Sequence, residues 1–216
     1  NWINNHSDYK ARYTYQQQPS IAHWNLWTWL NNLVPLQPEN FEKEQWKQAL
    51  AECLEHFEPT FLEHYRLGLS QKMGLPGFHK DSFDCAMAFL RILQTEQLDY
   101  TQSFIRLQHK QYQVIQDDCL DRRQFESFLT QYESIRHGQD TDELDAAMQG
   151  ANPVYILRNH MMQKAIELAE KNDFSEVERL FTLLSQPFEK QIEFETSADL
   201  GPLPSDVPEV MVSCSS

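Results

Sequence analysis

Along most of this chain the apolar residues return every third or fourth position, and no stretch alternates with the period of two that a half-buried strand requires. That periodicity confines the chain to an all-α, multi-helix architecture. Residues 20–34 place Ile21, Trp24, Leu26, Trp27, Leu30, Leu33 and Val34 on a wide apolar surface that Pro35 ends. Its three tryptophans predict a helix at the centre of the fold. Asn40 reads as the N-cap of a second helix, broken or kinked at Pro59, and residues 60–73 form a third that stops at Gly74 and Pro76. Asp81 opens the next, with Phe83, Ala86, Met87, Leu90 and Leu93 inward. Asp99 with Gln102 and Asp121 with Gln124 carry the spacing of capping boxes, and Gly138 supplies a stop. Asn152 and Pro153 read as N-cap and first residue of a further helix, and Ser175 with Glu178 as another capping box.

Two segments stand outside this pattern. Residues 1–19 are polar and dense in Asn, Ser, Asp and Gln, which bond to nearby backbone and favour turns over ladders. From Pro187 the chain turns irregular, punctuated by Pro202, Pro204 and Pro208, and it ends Val212-Ser213-Cys214-Ser215-Ser216. The expected division is therefore a loop over 1–19, a helical domain over 20–186 and a tail over 187–216.

With 32 acidic against 18 basic residues and a net charge of −14, the chain is expected to repel phosphate backbones and acidic lipid, so neither nucleic acid nor membrane is an expected partner. No apolar run reaches the roughly 20 residues of a membrane span, and the N-terminus has no leader pattern and no initiator Met. Cys53, Cys85, Cys119 and Cys214 show no CxxC spacing, so a reducing, cytoplasmic setting is the simpler expectation.

Catalytic motifs are sparse. Six glycines make no GxGxxG or GxxxxGK phosphate cradle. No HExxH exists, and His56 and His64 lie eight apart with Pro59 between them, which argues against a shared metal. The run 140–145 has the acid density of a calcium loop without its glycine or terminal glutamate, so it reads as a solvated acidic loop. Cys214, near the chain end between serines, is a candidate redox thiol against the plainer reading of an incidental tail cysteine. In the opening loop, His6, Asp8 and Arg12 form either a charged cluster at a site or a set that closes the loop and caps the helix.

Four segments in order resemble one family. Asn5-His6-Ser7-Asp8 with Arg12-Tyr13, Gln17-Gln18-Pro19 and Trp24-Asn25-Leu26 is similar to the stretch that follows the metal-binding motif of the selenoprotein O (YdiU-type) pseudokinases. Asn152-Pro153 with Leu157-Arg158-Asn159 resembles their late helical signature, Asp173-Phe174-Ser175-Glu176-Val177 the helix after it, and the final Cys214-Ser215-Ser216 their terminus.

This resemblance implies the C-terminal portion of a protein-kinase-like fold, starting at an activation-segment-like loop. It implies an enzyme that uses ATP and Mg²⁺ to transfer AMP to Ser, Thr or Tyr hydroxyls of proteins. The family's nucleotide- and metal-binding residues match no position here. No catalytic, cofactor-binding or metal-binding residue is therefore assigned, and neither ATP nor Mg²⁺ is expected to bind this chain alone. His6, Asp8 and Arg12 would border the active site, and an upstream catalytic portion and protein substrates would be the partners. The resemblance also implies a cysteine before Asn5 that pairs with the terminal one, whereas Asn4 stands there. A non-enzymatic helical interaction module, or a decayed fragment, is the competing reading.

Overall fold

In a computed structural model, residues 8–77 and 79–202 are described. Their regular structure is helical, with no strand among the described residues. They fall into two compact units that divide within one helix, between Tyr65 and Arg66.

The first unit opens with a loop and a 3₁₀ turn at Tyr15–Gln17, which leads into α1 (Gln18–Leu33). Pro19 suits the first turn of α1, where its missing N–H has no helical acceptor. A second 3₁₀ turn, Val34–Leu36, holds Pro35 and ends the helix. Then follow α2 (Lys43–Glu55) and the first half of α3 (Phe57–Met73). The cap of α2 is Glu42 rather than Asn40: its carboxylate takes the N3 amide while Gln45 reaches back to the Glu42 N–H, a reciprocal pair that Asn40 does not make. Pro59 breaks nothing, because the joint lies three residues earlier at His56 and places Pro59 in the tolerant first turn of α3. The Trp46 indole donates to the Leu33 carbonyl at 3.1 Å, and Leu50 is the buried apolar residue of α2. His23 lies 5.5 Å from Phe57, which begins a ladder through Phe61 to Tyr65.

One expectation fails outright. No residue of α1 is buried, and Trp24, Trp27 and Trp29 are 46%, 51% and 59% exposed. The apolar residues of α1 are spread around much of its circumference, and none of its residues is buried by the described part of the first unit.

The second unit contains the end of α3, α4 (Lys80–Thr95), α5 (Tyr100–Gln108), α6 (Tyr112–Asp118), α7 (Arg122–Arg136), α8 (Thr141–Ala151), α9 (Asn159–Ala169) and α10 (Ser175–Ser185). Helices α4 and α7 pack most extensively. Phe89 of α4 is fully buried; it stacks on Phe128 at 4.9 Å and meets Phe104 edge-on at 5.3 Å. The inward face of α4 is Ser82, Cys85, Ala86, Phe89, Ile92 and Leu93, so Ala86 and Leu93 were placed rightly while Phe83 and Leu90 are half-buried at its margin. A smaller core joins Tyr155, Met161, Ala165, Leu180 and Leu183.

Capping was legible where one side chain reaches one amide. Asp99 accepts from the Gln102 N–H at 2.8 Å and Asp121 from the Gln124 N–H at 3.1 Å. Elsewhere the boundaries differ. The acidic run is not a loop: Asp140 caps α8, and Asp142 and Glu143 sit in its first turn, where the helix dipole favours negative charge. Asn152 ends α8 instead of starting a helix, and residues 153–158 are irregular up to α9. Helix α10 starts at Ser175, with the Asp173 carboxylate accepting the Ser175 N–H at 3.0 Å in place of a Ser175 cap.

Candidate functional site

The Asp8 carboxylate accepts the N–H of Arg12 through Oδ1 and that of Tyr13 through Oδ2, both at 2.8 Å, and its carbonyl accepts the Ala11 N–H at 3.0 Å. These bonds fold 8–14 into a tight turn and hold Ala11 at φ +53°, a left-handed conformation that costs a non-glycine residue about 1 kcal/mol. Thr14, 3% exposed, closes the turn by donating to the Ala11 carbonyl at 3.1 Å. Freed from Asp8, the Arg12 guanidinium lies over the Trp24 indole, 4.5 Å from its centroid, and 5.8 Å from the Tyr13 ring. Asp8 and Arg12 thus share one turn without pairing with each other. Both oxygens of Asp8 accept a backbone N–H, so in this structure the carboxylate organises the turn. His6 lies outside the described residues, as does Cys214.

The second unit holds polar networks that periodicity did not reveal. Arg158 grips Asp99 with two parallel bonds of 2.9 and 3.0 Å. Burial would raise the Asp99 pKa, but the Arg158 hydrogen bond and the Gln102 amide outweigh it and hold the carboxyl below its usual value. The Asn152 amide donates to the Lys72 carbonyl at 2.8 Å and to Gln108 at 3.2 Å. Lys72 Nζ donates to the Ala151 carbonyl at 2.9 Å, with the rings of Phe104 and Tyr100 5.1 and 5.6 Å away; burial lowers its pKa. Asn152 and Arg158, prominent in the late signature, are therefore braces between helices. Asn152 Oδ1 and Arg158 Nε are buried without a hydrogen-bond partner.

Arg136 donates to the Gly74 carbonyl at 2.8 Å and pairs with Asp145, while Tyr132 donates to the Met73 carbonyl at 2.8 Å. Arg179 clasps Glu176 at 2.7 Å and Asp199 at 2.8 Å, which ties the 3₁₀ turn Ser197–Asp199 to α10. Burial pushes the Cys85 thiol up to about 12 and Cys119 up to about 11, so neither is a ready nucleophile; Cys53 is exposed. Among the described residues no three His, Cys, Asp or Glu side chains converge as a metal set. No helix among them is long and apolar enough to cross a membrane.

Residues 1–185 match the family model described as protein adenylyltransferase SelO. The chain belongs to the SelO family. Among SelO relatives, a protein nucleotidyltransferase YdiU from Pectobacterium atrosepticum is 34% identical over 222 residues, which cover 100% of this chain and 44% of that protein. The YdiU protein of Cupriavidus metallidurans is 35% identical across 94% of this chain and 40% of its own length, and that of Pseudomonas entomophila 35% identical across 94% and 41%. This SelO chain therefore spans less than half the length of the curated relatives it matches.

Proposed function

We propose that the chain is the C-terminal, helical part of a protein adenylyltransferase that moves AMP from ATP to Ser, Thr or Tyr hydroxyls of proteins. The match to the SelO family over residues 1–185 carries this reading. In it, residues 1–19 are an activation-segment-like loop, 20–186 the helical portion of a kinase-like fold, and 187–216 a tail. His6, Asp8 and Arg12 border the active site from the loop. ATP and Mg²⁺, which would supply the transferable AMP and offset charge at the phosphoryl centre, are held by an upstream portion. Cytoplasmic residence and a redox role for Cys214, with Asn4 in place of the family cysteine, complete the proposal; a link to another chain or to an upstream cysteine is then the route open to that thiol.

The test is transfer of label from AMP-labelled ATP with Mg²⁺. The chain alone should incorporate none, and a chimera in which it replaces the aligned stretch of the P. atrosepticum protein should label itself or added protein. Labelling by the chain alone would overturn the assignment of catalysis elsewhere, and an inert chimera, correctly folded, would favour a non-enzymatic interaction module. Mass mapping under oxidising conditions decides the role of Cys214: a thiol that stays free removes the redox role.

A further inference from the structure

Helix α1 is at odds with its surroundings. Its sixteen residues include no Asp, Glu, Lys or Arg in a chain that carries fifty such residues out of 216. Its apolar side chains take up most of its circumference, the pattern of a helix enclosed on nearly every side. Yet none of its residues is fully buried: Trp24 and Trp27, one turn apart on the same side, are about half exposed, and Trp29 and Leu26 extend the apolar surface around the helix. The outer stripe of α10 provides a contrast. Phe174, Val177 and Phe181 are exposed there too, but the exposed Glu178 lies on the same side and keeps that face compatible with water. No charged side chain of α1 does this, and Arg12, a loop residue, covers part of Trp24 alone.

The relatives contain enough further polypeptide to enclose it. Their length beyond the aligned region exceeds that of this whole chain, since the chain accounts for 44% of the P. atrosepticum protein. We propose that α1 is a core helix of the family-length protein, and that the Trp24–Trp27 side is the seat on which polypeptide lying outside this chain docks. The occupant is that remaining portion rather than a second copy of the chain: apolar residues take up most of the circumference of α1 and leave to solvent only a narrow strip of Gln18, Asn25, Thr28 and Asn32, an apolar surface broader than one two-chain interface would cover. This inference rests on the reading of the chain as one part of a longer enzyme and deepens it by naming where the parts join.

The experiment compares the isolated chain with the chimera described above. Oxidative footprinting, resolved peptide by peptide, reports the reactivity of each tryptophan, and sedimentation reports the assembly. In the isolated chain Trp24 and Trp27 should oxidise readily; in the chimera they should become protected. The double variant W24Q/W27Q should lower the Tm of the isolated chain less than that of the chimera, because about half of each tryptophan is exposed in the isolated chain. Equal reactivity in both proteins, or equal sensitivity of both to W24Q/W27Q, would overturn the docking seat. Protection already complete in a discrete dimer of the isolated chain would overturn it as well, by giving the surface to a second copy. AMP incorporation is scored separately: an active chimera with exposed tryptophans refutes this inference alone, while an inert chimera with protected tryptophans refutes the enzymatic reading and leaves the seat intact.

Discussion

Gly74 is held at φ +58°, in the left-handed region, where it lets α3 stop and the chain reverse. A Cβ there would stand 2.7 Å from Met148 Sδ and 2.9 Å from its Cγ, and would crowd the Arg136 guanidinium that donates to the Gly74 carbonyl. G74A therefore combines backbone strain with overpacking in a filled site, and should cost about 2–4 kcal/mol of stability in thermal or urea unfolding. Gly138, at φ +77° with no atom near its would-be Cβ, should show the strain alone and tolerate Ala better. The stop at Gly74 was readable from sequence because the reason for it is local. Its neighbours were not: Arg136 reaches it across 62 residues, and Arg158 reaches Asp99 across 59, separations about which helical periodicity says nothing.

At the scale of elements, the clasp between α10 and the turn Ser197–Asp199 should set the acid limit of the second unit. Arg179 hydrogen-bonds Glu176 and pulls its carboxyl below the ordinary 4.5 despite burial. At Asp199 burial would raise the pKa, but bonds from Arg179 and Thr196 hold it below the ordinary 3.8. Carboxylates with depressed folded values contribute stability fully present above their unfolded values, and they lose it as pH falls through the folded ones. Stability should thus be flat near neutrality and drop as pH falls from about 4.5. Replacing Arg179 by Met should cost about 3 kcal/mol at neutral pH, since Glu176 and Asp199 are left buried, and should flatten the acid slope in calorimetry; an unchanged slope would place the acid sensitivity elsewhere. Several helix starts were legible from single side chains, Asp99 and Asp121 among them. Helix α8 was not, because an acidic run before an apolar stripe reads equally as loop or as first turn. Only the bonds from Asp140 to the N–H groups of Asp142 and Glu143 distinguish the two.

At the scale of the whole molecule, the match to the family ends at residue 185, and the segment after it still packs. The Pro187 carbonyl accepts the N–H groups of Val154 and Tyr155, and Gln191 donates to the Leu183 and Gln186 carbonyls. The Tyr155 hydroxyl bonds Glu195 and accepts the Gln191 N–H at 2.8 Å. A chain cut after Gln186 should keep α4 and α7 folded while amide exchange quickens in α9 and α10; unaltered protection there would make the segment dispensable. The opening turn was legible as a polar loop, but Asp8 as its organiser was not, because the choice between a free carboxylate and one engaged by its own backbone is made by the geometry of 8–14. The bridges from Lys72 to Ala151 and from Asn152 back to Lys72 join residues 79 and 80 apart. During synthesis, α4 to α7 leave the ribosome, and can pair, before the far partners of Lys72 do. The end of α3 therefore cannot make either bridge until Ala151 and Asn152 have left the ribosome, whereas the α4–α7 packing needs nothing from so far along the chain.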